Sequence, residues 1–285
     1  MKKRKWLSPV LIVLCLVVFY GYRAVDRITT DTQAPQISMS GQLQVSVQDP
    51  KTALLQGVTA QDKIDGDVTA SLVVERVRLA DSDGTVNVTY AAFDKAGNVA
   101  KAERQVQYTD YESPRFSLSG PLAFPQNSGF DVLSVVRVED TLDGDITHRV
   151  RATSLDQNSI TAAGTHDVEF QVTNSLGQTV ELVLPVEIYP AGSYQGSLKL
   201  TDYLIYLPAG AQFDAKSYLS QYTLGTDTTV LNGSLPGDFS LHTTGAVDTA
   251  TPGVYSVAYE VTYNKADGVN SAYTGYSKLI VVVEG

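Results

Sequence analysis

The stretch Gly84-Thr85-Val86-Asn87-Val88-Thr89-Tyr90-Ala91-Ala92-Phe93 places Val88, Tyr90 and Ala92 four, six and eight positions after a glycine. Side chains two residues apart share one face of an extended strand, so this spacing predicts a turn followed by a half-buried strand. The pattern recurs at Gly164 with Val168, Phe170 and Val172, and at Gly253 with Val257, Tyr259 and Val261. Recurrence at a fixed period marks an array of like modules. The glycines lie 80 and 89 residues apart, and a segment of that size can bury a modest core of its own.

Working outward, strands are expected at Leu43–Val47, Leu54–Ala60, Leu72–Leu79, Val86–Phe93 and Val99–Tyr108. The next segment offers Val132–Val138, Val150–Thr153, Thr165–Thr173 and Val180–Ile188, and the last offers Leu198–Leu207, Tyr255–Tyr263 and Lys278–Val283. Helical periodicity is absent beyond the N-terminal apolar run, apart from a short turn expected at Ala215–Gln221. Short alternating strands separated by Gly, Asp and Asn turns describe an all-β chain of sandwiches.

The N-terminus follows another rule. Lys2, Lys3, Arg4 and Lys5 precede Trp6–Tyr22, WLSPVLIVLCLVVFYGY, which carries no charge. A basic cluster before an apolar run predicts one transmembrane helix over 6–25 with a cytoplasmic N-terminus and the modules outside the cell membrane. A cleaved signal peptide is the rival reading, but no small-x-small site follows the run. The expected organisation is a basic tail 1–5, anchor 6–25, linker 26–33 and modules 34–110, 111–189 and 190–285.

Net charge is −10, leaving −14 once those four basic residues are set aside. So acidic a surface repels nucleic acid, which is not an expected partner. The lone Cys15 lies in the apolar run, so the modules contain no disulfide, thiolate metal site or cysteine nucleophile.

A second signature appears twice. Asp62-Lys63-Ile64-Asp65-Gly66-Asp67-Val68-Thr69 matches Asp140-Thr141-Leu142-Asp143-Gly144-Asp145-Ile146-Thr147, and Asp94-Lys95-Ala96-Gly97-Asn98 has a degenerate counterpart in Asn174-Ser175-Leu176-Gly177-Gln178. Physically, Asp-Gly is a turn former, because Asp accepts backbone N–H bonds two residues on and Gly takes positive φ. The same carboxylates, Asp62, Asp65 and Asp67 or Asp140, Asp143 and Asp145, are also candidate calcium ligands. Their spacing is not that of an EF-hand loop. Both readings stand on sequence.

Together these motifs resemble the bacterial immunoglobulin-like surface domains that occur in tandem on Gram-positive exported proteins, including the family first noted in a pesticidal crystal toxin. The resemblance covers residues 34–189, and the last segment keeps only parts of it. It implies three tandem immunoglobulin-like sandwiches used as spacer or binding modules, with no catalytic residues to carry over.

His148, His166 and His242 fall at no metal-ligand spacing, and no HExxH, GxSxG or phosphate-cradling glycine loop occurs. An enzyme is not expected, and no cofactor other than calcium is. Ten of the sixteen tyrosines fall in the last segment. Tyr255, Tyr259 and Tyr263 share the core alternation, whereas Tyr203, Tyr206, Tyr218 and Tyr222 are candidate ligand-binding rings, since tyrosine joins a rigid apolar face to a polar tip. The expected function is a non-catalytic, membrane-anchored surface protein acting as spacer, adhesion or protein-interaction unit. The alternative is a carbohydrate-binding surface protein, so the partner is a protein or a cell-wall glycan.

Overall fold

The computed structural model describes residues 11–21, 31–153, 162–265 and 271–285. They form two compact units, Met1–Tyr111 and Glu112–Gly285, built almost wholly from strands.

Residues 11–21 form an α-helix whose apolar side chains from Leu11 to Tyr20 are exposed. At about 1.5 Å per residue such a helix is about 16 Å long, roughly half of a bilayer's hydrocarbon core. Among the described residues no helix is long and apolar enough to cross a membrane. The expected single-pass anchor over 6–25, and the topology that depended on it, are therefore corrected. The remainder of that stretch lies outside the described residues.

In the first unit the strands are β1 (Gln36–Met39), β2 (Leu43–Val45), β3 (Val58–Asp62), β4 (Gly66–Asp67), β5 (Val73–Leu79), β6 (Thr85–Phe93) and β7 (Val99–Tyr108). One sheet runs β1-β3-β4 and the other β2-β7-β6-β5. All pairs are antiparallel except β2 with β7, where Leu43 sits opposite Val106. Val86, Val88, Tyr90 and Ala92 on β6 are completely buried, as the alternation requires. Each of the two valines contributes roughly 1.5–3 kcal/mol of transfer free energy. The expected strand Leu54–Ala60 begins instead with a 3-10 turn, Lys51–Leu55. The buried Tyr90 hydroxyl donates to the Leu54 carbonyl at 2.7 Å and holds that turn against the core.

The second unit opens with β8 (Arg115–Leu118), β9 (Ala123–Pro125), β10 (Val136–Asp140), β11 (Gly144–Asp145), β12 (Arg151–Ala152), β13 (Gly164–Thr173) and β14 (Thr179–Tyr189). Its sheets, β8-β10-β11 and β9-β14-β13-β12, repeat the strand order of the first unit, including the parallel pairing of β9 with β14. The rest of the unit contains β15 (Gly196–Leu200), β16 (Leu204–Pro208), β17 (Leu219–Leu224), β18 (Asp227–Val230), β19 (Phe239–Thr244), β20 (Gly253–Lys265) and β21 (Ser271–Glu284). They make one seven-stranded sheet, β18-β17-β15-β21-β20-β19, with β16 parallel to β21. The expected strand Leu198–Leu207 is thus two strands that both pair with β21.

That sheet serves two cores. Leu204, Tyr206, Ile280 and Val282 pack with Phe116, Val138, Phe170 and Leu184. Their sequence neighbours Ile205, Leu207, Leu279, Val281 and Val283 pack instead with Leu198, Leu219, Tyr222 and Tyr259. Alternate residues of β16 and β21 therefore face opposite ways and fill both cores. This is why the residues expected to form two separate modules lie in one compact unit. Polar contacts follow the same seam. Arg115 lies 3.0 Å from Glu284 and stacks 4.7 Å over the Tyr206 ring, and the buried Lys278 ammonium faces Glu187 at 3.7 Å.

Candidate functional site

The repeated acidic turn closes the β3–β4 hairpin in the first unit and the β10–β11 hairpin in the second. Gly66 and Gly144 adopt φ of +76° and +69°, a conformation that other residues reach only with strain. Asp62 Oδ1 accepts from the Ile64 and Asp65 amides at 2.7 and 2.8 Å. Asp67 accepts from the Thr69 amide, and the Thr69 hydroxyl accepts from the Ala60 amide. The second copy repeats each bond: Asp140 to Leu142 and Asp143, Asp145 to Thr147, and the Thr147 hydroxyl to the Val138 amide. The turn-forming role is realised in both.

The copies differ in what surrounds them. Asp140 Oδ2 accepts from the Asn174 amide at 2.9 Å, and Asp143 accepts from Ser175 and, at 2.7 Å, from Arg149. At the place of Asn174 the first copy has Asp94, whose carboxylate is engaged by Asn98. At the place of Ser175 it has Lys95, whose amide and ammonium both reach Asp65. That ammonium is largely in solvent, where an ion pair is worth little.

The structure brings Asp62 and Asp65 together, but their third partner is Asp31. One carboxylate oxygen from each lies within 4.8 Å of the others. Asp67, expected to join them, belongs to no such cluster among the described residues; neither do Asp140, Asp143 and Asp145. Asp31 was missed, although a signal exists in the sequence. Asp31-Thr32-Gln33-Ala34-Pro35 matches Asp110-Tyr111-Glu112-Ser113-Pro114, marking the same approach to two sheets. Asn98 Nδ2 holds this approach by donating to the carbonyls of Asp31 and Gln33.

The tyrosine candidates are placed differently from expectation. Tyr222 is 1% exposed, so it is corrected from ligand contact to core residue, and its hydroxyl donates to the Tyr273 carbonyl at 2.7 Å. Tyr203 packs against both cores of the second unit, Tyr206 lies beneath Arg115, and Tyr218 stacks on Phe213. None of the four stands clear as a platform. His166 bonds the Ala162 carbonyl, and His242 bonds Thr244.

Burial acts to raise the Asp143 carboxyl, but Ser175 and Arg149 outweigh it and hold its pKa below the usual aspartate value. Thr147 holds Asp145 low, chiefly through its hydroxyl and then its amide. A depressed folded pKa gives stability that is present above the unfolded value near 4 and fades as pH falls through the folded one. The melting temperature of the second unit is therefore expected to drop as pH falls below about 4. Asp143→Asn should flatten that descent, and superimposable curves for variant and parent would contradict the assignment.

No protein-family model matches the chain. It is 28% identical over 222 residues to the pesticidal crystal protein Cry22Aa of Bacillus thuringiensis, covering 75% of this chain and 28% of the relative. The chain thus spans less than a third of that protein's length. Among solved structures it is similar to the Clostridium perfringens ZmpB M60 catalytic domain with its CBM51-1 and CBM51-2 domains, at 10% identity and a TM-score of 0.25, covering 90% of this chain and 43% of that one. Mouse cadherin-23 EC22–24 gives 11% identity and a TM-score of 0.20, covering 88% and 99%. Scores this low carry no argument. The weak sequence similarity to a crystal protein agrees with the resemblance drawn from the acidic turns.

Proposed function

We propose that this chain is a non-catalytic spacer or protein-interaction protein whose sandwiches are immunoglobulin-like. The observation that carries the reading is the use made of the acidic turns. In both copies the carboxylates are engaged by the backbone and neighbouring side chains of their own sandwich, so the repeated motif builds scaffold. The repeated strand order supports the same reading, because a duplicated sandwich extends reach and surface.

The carbohydrate-binding alternative retains one feature, a groove of about 480 Å³ bordered by Arg115, Glu181, Tyr206 and Glu284. Its tyrosine face is already covered by Arg115. A glycan array probed with the full-length chain separates the two readings. The interaction reading expects no glycan bound above background. Saturable binding to a defined glycan, lost in Arg115→Ala, would replace it with the alternative.

A further inference from the structure

We infer that the groove beside the leading half of β14 is a strand-addition site for an extended, basic segment of a partner protein. The inference deepens the protein-interaction reading and rests on it.

Strand β9 covers only Glu187–Tyr189 of β14, so among the described residues no strand pairs with that edge from Thr179 to Val186. Two bonds fix which main-chain groups face it. The Glu187 amide donates to the Leu122 carbonyl, and the Tyr189 carbonyl accepts from the Gln126 amide. Main-chain groups alternate sides along a strand, so those of Thr179, Glu181 and Val183 face the same open side. Pro185 falls in this series, and proline, with no amide to donate, is tolerated where no ladder needs one. Across the groove, β8 is the edge of its own sheet and pairs only with β10. Open edges of this kind are templates for an incoming strand.

Shape and charge select the occupant. The groove, about 480 Å³, has the volume of an ordinary ligand site, with apolar walls from Phe116, Val180 and Leu182. Its one ring, Tyr206, lies under Arg115, so strand pairing suits it better than stacking on a sugar. The border carries three carboxylates, Glu112, Glu181 and Glu284, against one guanidinium, Arg115, already paired with Glu284. The fold does not require this charge: at the place of Glu181 the first sandwich has Lys101, paired with Glu75. Val180 and Leu182 lie on one face of β14 and Glu181 on the other. A segment alternating apolar and basic residues therefore matches both faces at once.

Fluorescence anisotropy of the full-length chain tests this with three labelled peptides, in about 0.15 M salt to screen exposed charge. They are alternating lysine and valine, alternating glutamate and valine, and the lysine–valine composition in block order. The alternating basic peptide is expected to bind saturably, one per chain, about tenfold or more tightly than either other peptide. Glu181→Lys should weaken it about tenfold. Glu103→Lys, the same charge change on β7, should leave it unchanged. Glu181→Pro removes an edge amide while sparing the ladder to β13, and should lose more binding than Glu181→Ala. If the proline variant melts lower than the parent, the two lysine variants still decide. Equal binding of block and alternating peptides, or equal losses in Glu181→Lys and Glu103→Lys, would overturn the groove assignment and leave the interaction reading in place. No binding of the alternating basic peptide at about 1 mM would also overturn it. The interaction reading falls as well only if the glycan array shows saturable binding that Arg115→Ala removes.

Discussion

Replacing Phe170 with alanine is expected to destabilise the Glu112–Gly285 unit by about 3–5 kcal/mol, the usual cost of removing a buried aromatic and leaving its cavity. Phe170 has no exposed surface and lies on β13, between β12 and β14. Its cluster includes Leu204 and Ile280 from the far half of the same unit, so both halves should loosen together. Denaturant unfolding followed by far-ultraviolet circular dichroism gives the number. Val183→Ser is the matched control, because Val183 is 48% exposed and surface changes usually stay within about 0.5 kcal/mol. Equal effects at the two positions would contradict the assigned faces of the sheet.

Gly196→Ala is expected to cost about 2–4 kcal/mol, although it adds a single methyl group. Gly196 pairs with Gly275 across the parallel junction of β15 and β21, and the Tyr222 ring lies over both. A Cβ on Gly196 would overlap that ring and its hydroxyl, and a Cβ on Gly275 would sit 2.8 Å from the same ring. Tyr222 has little freedom to withdraw. Its hydroxyl is bonded to the Tyr273 carbonyl, and its ring meets Phe239 edge-on at 5.3 Å, which in turn stacks on Tyr263. The substitution must therefore break a hydrogen bond and disturb an aromatic row, or push two paired strands apart. Gly237→Ala, with open space around it and no positive φ, should be nearly neutral. If the two variants melt together, the close approach inferred at Gly196 is wrong.

Where alternation was strict, the strands were legible in the sequence. Thr85–Phe93 and Gly164–Thr173 bury alternate residues because each has one core face and one polar face. The expected strands Leu54–Ala60 and Val132–Val138 run into 3-10 turns at Leu54–Leu55 and Val132–Val135, because the apolar residues there carry no period long enough to separate the two conformations. Strands β17 to β19 were missed for a related reason. The register shift between Lys199 and Leu200 disrupts the pairing of β17, while β18 and β19 are edge strands with few buried side chains. The merging of the last two segments did have a signal. Leu279-Ile280-Val281-Val282-Val283 is apolar without alternation, which is what a strand covered on both faces requires.

The acidic turns were legible as turns, because Asp-Gly chemistry is local. Their different surroundings were not, since Asn174, Arg149 and Asp31 reach the turns from 34, 6 and 31 residues away along the chain. The tyrosines misled for the opposite reason. Abundance in one segment says nothing about exposure, and Tyr222 was placed by a pair of glycines whose role appears only when β15 and β21 meet.

The central claim is that the last 174 residues are one cooperative body whose shared sheet fills two cores. Differential scanning calorimetry of the full-length chain tests it with Tyr90→Ala, Phe170→Ala and Leu279→Ala. Two transitions are predicted, with Tyr90→Ala lowering one, and Phe170→Ala and Leu279→Ala lowering the other together. Three transitions, with Phe170→Ala and Leu279→Ala moving different ones, would contradict the account.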